Sequence, residues 1–191
     1  MSASETRHGI GVSPGIAVGP VVQVPPPVRP PEQEPAPTDP AASSQLIREV
    51  LESVGTTLDE LAGRADATAQ PILAAAAMMA RDPGLTAAAD KHLANGRGPA
   101  TAVDAAAEEY CALFSAAGGY LAERVTDVRN VRDRAVARLL GLPDPGVPDL
   151  TTPCVIVAHD LAPAETAGLR RGLVLAIVTE SGGPTSHTAI L

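Results

Sequence analysis

From Pro25 to Pro40, eight of sixteen residues are proline, with Glu32 and Glu34 among the remainder. Proline fixes φ and removes an amide donor, so neither a helix interior nor a central strand can form there. Residues 25–40 therefore read as an extended, semi-rigid linker. The linker divides the chain into a short head and a long body, and each must find its own structure.

The head, Gly9 to Val24, places a Ser13-Pro14-Gly15 turn before a β-branched apolar stretch, which predicts a strand or two. The body opens with apolar residues at three- and four-residue spacing: Leu46, Ile47, Val50, Leu51, Val54, Leu58 and Leu61, with Ser43 or Ser44 available as caps. A second helix is expected near Pro71 and runs through Met78-Met79-Ala80. Asp82-Pro83 then starts a third helix, which stops at Asn95-Gly96. A fourth carries Val103, Ala107, Tyr110, Cys111 and Phe114 as far as Gly118-Gly119. A last one carries Leu121, Val125, Val128, Arg132, Val136 and Leu139 to Gly141. Aromatics make up only 2% of residues against 45% hydrophobic, so these helices must pack through Ala, Val and Leu as a bundle with short connections.

Turn chemistry from Gly141 to Asp149 marks a return to β structure. Cys154 to Ala158 is a strand candidate, Pro163 to Leu169 a short helix and Leu173 to Val178 a second strand. Strand, helix, strand implies a parallel pair whose carboxyl ends share one edge, so that Thr166 and His187 could meet there.

The second of these strands leads into Ser181-Gly182-Gly183-Pro184-Thr185-Ser186-His187-Thr188-Ala189-Ile190-Leu191. Two glycines let the backbone approach a ligand closely, and Thr185 or Ser186 can cap a helix beginning at Ala189. His187 then sits in the first turn, where unpaired N–H groups and the positive end of the helix dipole favour an anion and disfavour a second cation. A neutral imidazole is a nucleophile. A phosphoryl group on it would meet backbone donors and the hydroxyls of Thr185, Ser186 and Thr188. By local chemistry alone the same residues also fit a glycine turn and a capped helix with a surface histidine.

The charge balance narrows the partners. A net charge of −8 argues against nucleic acid and anionic membrane and suits a basic partner or simple solubility. Cys111 and Cys154 form neither a disulfide framework nor a Cys-x-x-Cys site, the polar N-terminus has no signal-peptide core, and no run reaches the length of a membrane span. A cytoplasmic protein is expected. No metal site is expected, because His8, His92, His159, His187 and the cysteines lack ligand spacing. A serine hydrolase using Ser181 or Ser186 with His187 would need Gly-x-Ser-x-Gly, and Thr179 stands where the first glycine belongs.

Gly182-Gly183-Pro184-Thr185-Ser186-His187-Thr188-Ala189-Ile190 resembles the active-histidine signature of the phosphoenolpyruvate-utilising phosphotransferases. The β start with its Ser-Pro-Gly-Ile-Ala run, the helical insertion, Glu123-Arg124-Val125-Thr126-Asp127-Val128-Arg129 and Asp160-Leu161-Ala162-Pro163-Ala164-Glu165-Thr166-Ala167 narrow the resemblance to the amino-terminal half of Enzyme I of the sugar phosphotransferase system. This resemblance implies an α/β phosphohistidine (swivelling) domain with an inserted all-α bundle. Residues 1–24 would form its first part and residues 41–141 a carrier-binding subdomain. Residues 142–191 would form its second part, incomplete after the active histidine, with the phosphoenolpyruvate-binding barrel absent.

The resemblance also implies roles. His187 would carry the phosphate, Thr166 would hydrogen-bond it, and Gly182, Gly183, Thr185, Ser186 and Thr188 would form the phosphate loop. Arg124, with Met78 and Met79, would engage the histidine-containing phosphocarrier protein. No cofactor is expected in this chain, Mg²⁺ being expected in the absent carboxyl-terminal domain, and a homodimer is expected only for the full-length protein. Where the family often has a histidine and acids on the docking helices, this chain has Ala76 and an Ala-Met run, with Asp59, Glu60, Asp66 and Asp82 nearby. The other readings left by the residues are a non-catalytic docking module and the Enzyme-I-like part of another phosphotransfer subunit.

Overall fold

The structure is a computed structural model that describes residues 8–65, 67–161, 163–166 and 169–181, with the backbone alone at Glu123, Pro163, Ala164 and Arg171. Its element order is β1 (Val21–Gln23), α1 (Pro40–Ala62), α2 (Ala69–Ala80), α3 (Pro83–Ala94), α4 (Pro99–Ala117), α5 (Gly119–Glu123), α6 (Val125–Leu139), β2 (Cys154–Ala158), α7 (Pro163–Thr166) and β3 (Val174–Thr179). A single 3₁₀ turn, Arg171–Leu173, leads into β3.

The three strands form one parallel sheet in the order β1-β2-β3. Parallel neighbours need crossovers. Here α7 lies between β2 and β3, and the linker with the whole helical bundle lies between β1 and β2. β2 is central and its side chains alternate, with Cys154, Ile156 and Ala158 buried. Together with Val24 and Leu161 they form a small core of their own.

A larger core lies within the bundle, where Ile47, Leu51, Val54 and Leu58 of α1 meet Leu73 and Ala77 of α2, Leu85 and Leu93 of α3, Val103 of α4 and Val131 of α6. The spacing of these residues puts them on one stripe of each helix, and burying that stripe is what holds a bundle so poor in aromatics. The chain's three aromatics all lie at the end of α4 and in α5. Tyr110 and Phe114 are 5.9 Å apart between ring centroids, and Tyr120 is exposed.

Several local features differ from the reading of the sequence. The α1 cap is Asp39, whose Oδ1 accepts from the Ala42 amide at 3.0 Å, with Pro40 in the first turn. Ser43 and Ser44 lie within the helix. The helix expected to run unbroken from Leu121 to Leu139 is divided at Arg124 into α5 and α6, after Gly118 and Gly119 at φ 68° and 54°. The strand expected in the head shrinks to Val21–Gln23, and Ile10, Val12, Ile16 and Val18 are exposed.

The linker is extended but docked on the bundle. Gly98, which precedes α4, has no side chain to cap it. Glu34 of the linker does so from 66 residues away: its carboxylate accepts from the amides of Ala100 (3.2 Å) and Thr101 (2.7 Å) and from the Thr101 hydroxyl. The missing Cβ makes room, since one built at Gly98 would come within 2.3 Å of the Glu34 side chain.

Helix α6 is polar in sequence yet mostly buried, and its charges are paired. Arg132, read as part of the apolar stripe, is 3% exposed and bonded to Glu108 and Asp133, with Asp104 3.7 Å away. Arg134 and Arg138 both grip Asp144 in the loop after the bundle, and Arg138 also donates to Ser53 and Thr57 of α1. These bonds fix how the chain leaves the helices for β2.

Candidate functional site

Because the sheet is parallel, β2 and β3 deliver their carboxyl ends to one edge, where ligand sites of open α/β sheets form. The strand pairing continues past β3: the Glu180 amide donates to the Ala158 carbonyl at 3.1 Å and the Ser181 amide to the His159 carbonyl at 2.8 Å. Ser181 is the last described residue before the glycine pair. His187, Gly182, Gly183, Thr185, Ser186 and Thr188 lie outside the described residues.

Thr166 ends α7, the short helix that follows β2 at this same edge, and it is 5% exposed. Its carbonyl accepts from the Leu169 amide at 3.1 Å. Helix α7 also packs against α2, so the bundle and the sheet edge touch through it. The sequence signal that places Thr166 here is the strand–helix–strand order.

One histidine at this edge had no role assigned from sequence. His159, the residue after β2, has Nδ1 3.1 Å from Glu180 Oε2 and Nε2 3.3 Å from Ser181 Oγ. Ser181, weighed as a nucleophile beside His187, therefore has its hydroxyl against His159. The two residues are 22 apart in sequence, and only the register of two parallel strands brings them together. That register was the signal that could have found them.

Arg124 sits at the joint between α5 and α6. Its guanidinium lies 4.4 Å from the Tyr120 ring centroid and donates from Nη1 to Asp127 at 3.0 Å, while its buried Nε has no hydrogen-bond partner. Stacking on a ring and a one-sided ion pair leave part of the fork unused. Burial pushes the Asp127 carboxyl above its usual range, although Arg124 pulls it down.

The two methionines part company. Met78 is 74% exposed, whereas Met79 packs into the bundle, beside Tyr110, Phe114 and Val125 among others. The end of α2, the second half of α4 and the start of α6 thus converge, and Leu113, Tyr120 and Leu121 are further exposed apolar side chains on α4 and α5.

Two of the acids named near this surface are engaged within the chain. Asp59 accepts from Arg81, and Asp82 accepts from the Gly84 and Leu85 amides and the Tyr110 hydroxyl. Glu60 is exposed, Asp66 lies outside the described residues, and Ala76 is buried in the bundle core rather than on a docking face. Among the described residues no cluster of His, Cys, Asp or Glu could hold a metal, and no helix is long and apolar enough to cross a membrane.

Comparison with known proteins converges on one group. Residues 8–124 match the family model for the N-terminal part of phosphoenolpyruvate-utilising enzymes, and residues 150–191 match the mobile domain of those enzymes. A phosphoenolpyruvate-protein phosphotransferase of Streptomyces coelicolor is 46% identical over 97% of this chain and 34% of its own length. A multiphosphoryl transfer protein of Xanthomonas campestris is 34% identical over 96% of the chain and 22% of its own length. The chain thus spans about a third or less of the curated relatives named here.

Among solved structures, a solution structure of an Enzyme I protein superposes with a TM-score of 0.75 at 29% identity, covering 94% of this chain and 75% of that one. The N-terminal domain of a nitrogen-type Enzyme I does so at 0.61 with 22% identity, covering 94% and 76%, a likeness of fold. The motif residues, the helical bundle on a small parallel sheet and these relatives agree: the chain belongs to the phosphoenolpyruvate-utilising enzymes and corresponds to the amino-terminal portion of Enzyme I, the phosphoenolpyruvate-protein phosphotransferase.

Proposed function

We propose that this chain carries a phosphoryl group on His187 and exchanges it with the histidine of a phosphocarrier protein of the sugar phosphotransferase system. The observation that carries the reading is the signature around His187 set directly after a parallel strand, in a chain 46% identical to a phosphoenolpyruvate-protein phosphotransferase. On this reading the sheet and α7 form the swivelling phosphohistidine unit, residues 41–141 form the carrier-binding unit, and phosphoenolpyruvate is the ultimate donor.

Phosphoryl transfer asks mainly for positioning and charge stabilisation. In the exchange, a lone pair of the neutral His187 ring forms a new P–N bond. The bond from phosphorus to the carrier's imidazole nitrogen breaks, and its electron pair returns to that ring. The loop amides and the hydroxyls of Thr185, Ser186 and Thr188 hold the phosphoryl oxygens, and the Thr166 hydroxyl orients the His187 ring. Arg124, paired with Asp127 and 16% exposed, holds an oxygen or carboxylate of the incoming carrier through its guanidinium. Met78 supplies adaptable apolar contact, while Met79 backs it from within the bundle.

The test is to mix the chain with phosphorylated carrier. An acid-labile, base-stable phosphate is expected on the wild type and none on His187→Ala. Arg124→Ala is expected to raise the KM for carrier about ten-fold, the loss of one charge-assisted contact. No transfer to the wild type, or equal transfer to His187→Ala, contradicts the reading.

A further inference from the structure

We propose that His159 is a positioning residue for phosphoryl transfer, holding the last two residues before the glycine pair through both nitrogens of its imidazole. The proposal rests on the reading of His187 as the phosphorylated group and adds a residue that the signature does not contain.

Three bonds converge on this point. The His159 carbonyl accepts from the Ser181 amide at 2.8 Å, Nδ1 lies 3.1 Å from the Glu180 carboxylate, and Nε2 lies 3.3 Å from the Ser181 hydroxyl. A neutral ring with its proton on Nδ1 satisfies both side-chain contacts at once: N–H donates to Glu180, and the bare Nε2 accepts the serine hydroxyl. That tautomer is the one a neighbouring carboxylate selects.

The ring is 71% exposed and its carboxylate partner 70%, so these contacts contribute little to global stability. Their effect is local. β3 ends at Thr179, and Glu180 and Ser181 are the last described residues before the Gly182-Gly183 pair of the sequence. How Glu180 and Ser181 are placed depends on what holds those two residues. Besides the two backbone bonds of the extended strand pairing, that is the His159 ring. A transfer that needs its nucleophile aligned in line with a leaving nitrogen loses rate steeply when the supporting loop swings by an ångström.

The experiment follows transfer from phosphorylated carrier to the chain under multiple-carrier concentrations, so that kcat and KM separate. His159→Ala is expected to lower kcat about ten-fold, with KM for carrier within about two-fold and the thermal midpoint unchanged. His159→Asn, whose amide nitrogen stands near the position of Nδ1, restores the Glu180 contact. His159→Gln, whose amide stands near that of Nε2, restores the Ser181 contact. Each is expected to recover part of the rate.

Wild-type kcat in His159→Ala overturns the assignment. So does a rise in KM with kcat intact, a fall in thermal midpoint that accounts for the loss, or failure of both amide variants to recover any rate. The two levels separate cleanly, because His187→Ala must abolish transfer. If it does and His159→Ala behaves as wild type, the positioning role alone fails. If His187→Ala still accepts phosphate, the reading beneath it fails.

Discussion

Removing the Glu34 carboxylate leaves two amides of the first turn of α4 without the acceptor they share. Loss of a helix cap costs about 1 kcal/mol, so Glu34→Ala is expected to lower stability by about that amount. Gly98→Ala should cost a similar amount, because the added Cβ displaces the same carboxylate. Gly98 has φ −70° and ψ 165°, which alanine adopts freely, so in the Glu34→Ala background the second change should cost nothing. A double-mutant cycle by urea unfolding checks this; no loss in Glu34→Ala would show that Glu34 is not the cap, and additive losses would show that Gly98→Ala does not act by displacing it. At this scale the sequence is readable only where partners are close in the chain. At the start of α1 the sequence suggested Ser43 or Ser44, and the cap is Asp39, a few residues earlier. Glu34, in a stretch whose prolines say only that it is extended, could not be assigned to a helix 66 residues on. His159 was equally hidden until the strand register was known.

Among elements, α6 shows how far apolar periodicity reaches. Its Val128, Val131 and Val136 mark a buried stripe, and the same spacing carried Arg132 inside with them. What the spacing does not reveal is that acids on α4 and on α6 itself answer the guanidinium, or that the stripe breaks at Arg124 after two glycines in the left-handed region.

The Asp144 clasp makes a pH prediction. Burial pushes its carboxyl up, but Arg138 and Arg134 outweigh that and hold it below the usual range. A folded-state value below the unfolded one means a stabilising contribution that is full above the unfolded pKa of about 3.9 and is lost as pH falls through the folded value. Asp144→Asn leaves two largely buried guanidinium groups without their carboxylate. It is expected to cost about 1–3 kcal/mol at neutral pH, with the difference from wild type shrinking in acid. A pH-independent difference in denaturant midpoint would contradict the ion-pair account. Asp127 and Asp133 are raised by burial and act with the opposite sign, stabilising below their unfolded pKa and losing that contribution as pH rises through the folded value. The acid limb of the wild type is therefore shallower than Asp144 alone would make it.

The described residues form a broad core among the helices, a smaller α4–α6 cluster beside it and a small core around β2, and a buried cysteine reports on each of the last two. Cys111 lies in the α4–α6 cluster, where burial pushes its thiol up, and Cys154 lies on β2. The sheet has the smaller core, and Ile16, Val18, Val21, Leu175 and Val178 are exposed in the head and on its edge strands. In rising denaturant a thiol reagent should label Cys154 before Cys111. Simultaneous labelling would mean that the two cores unfold as one.

The order of a strand-forming head, a helical insertion and a return to β/α could be read from patterning. The exposure of the head could not, because Ile10 to Val18 carry a strand's composition and burial depends on what else packs there. Of the candidate site, the sequence offers the chemistry, glycines and hydroxyls around a histidine on residues outside those described, and the structure adds the carboxyl edge of the parallel sheet that leads to them.

The most direct test of that chemistry is to locate the phosphate. After exchange with phosphorylated carrier, fragmentation of the intact phosphopeptides under neutral conditions should find one phosphoryl group, on the peptide holding Ser181 to Leu191 and on His187 within it. A phosphate on His8, His92 or His159, or on a serine or threonine hydroxyl, would contradict the account.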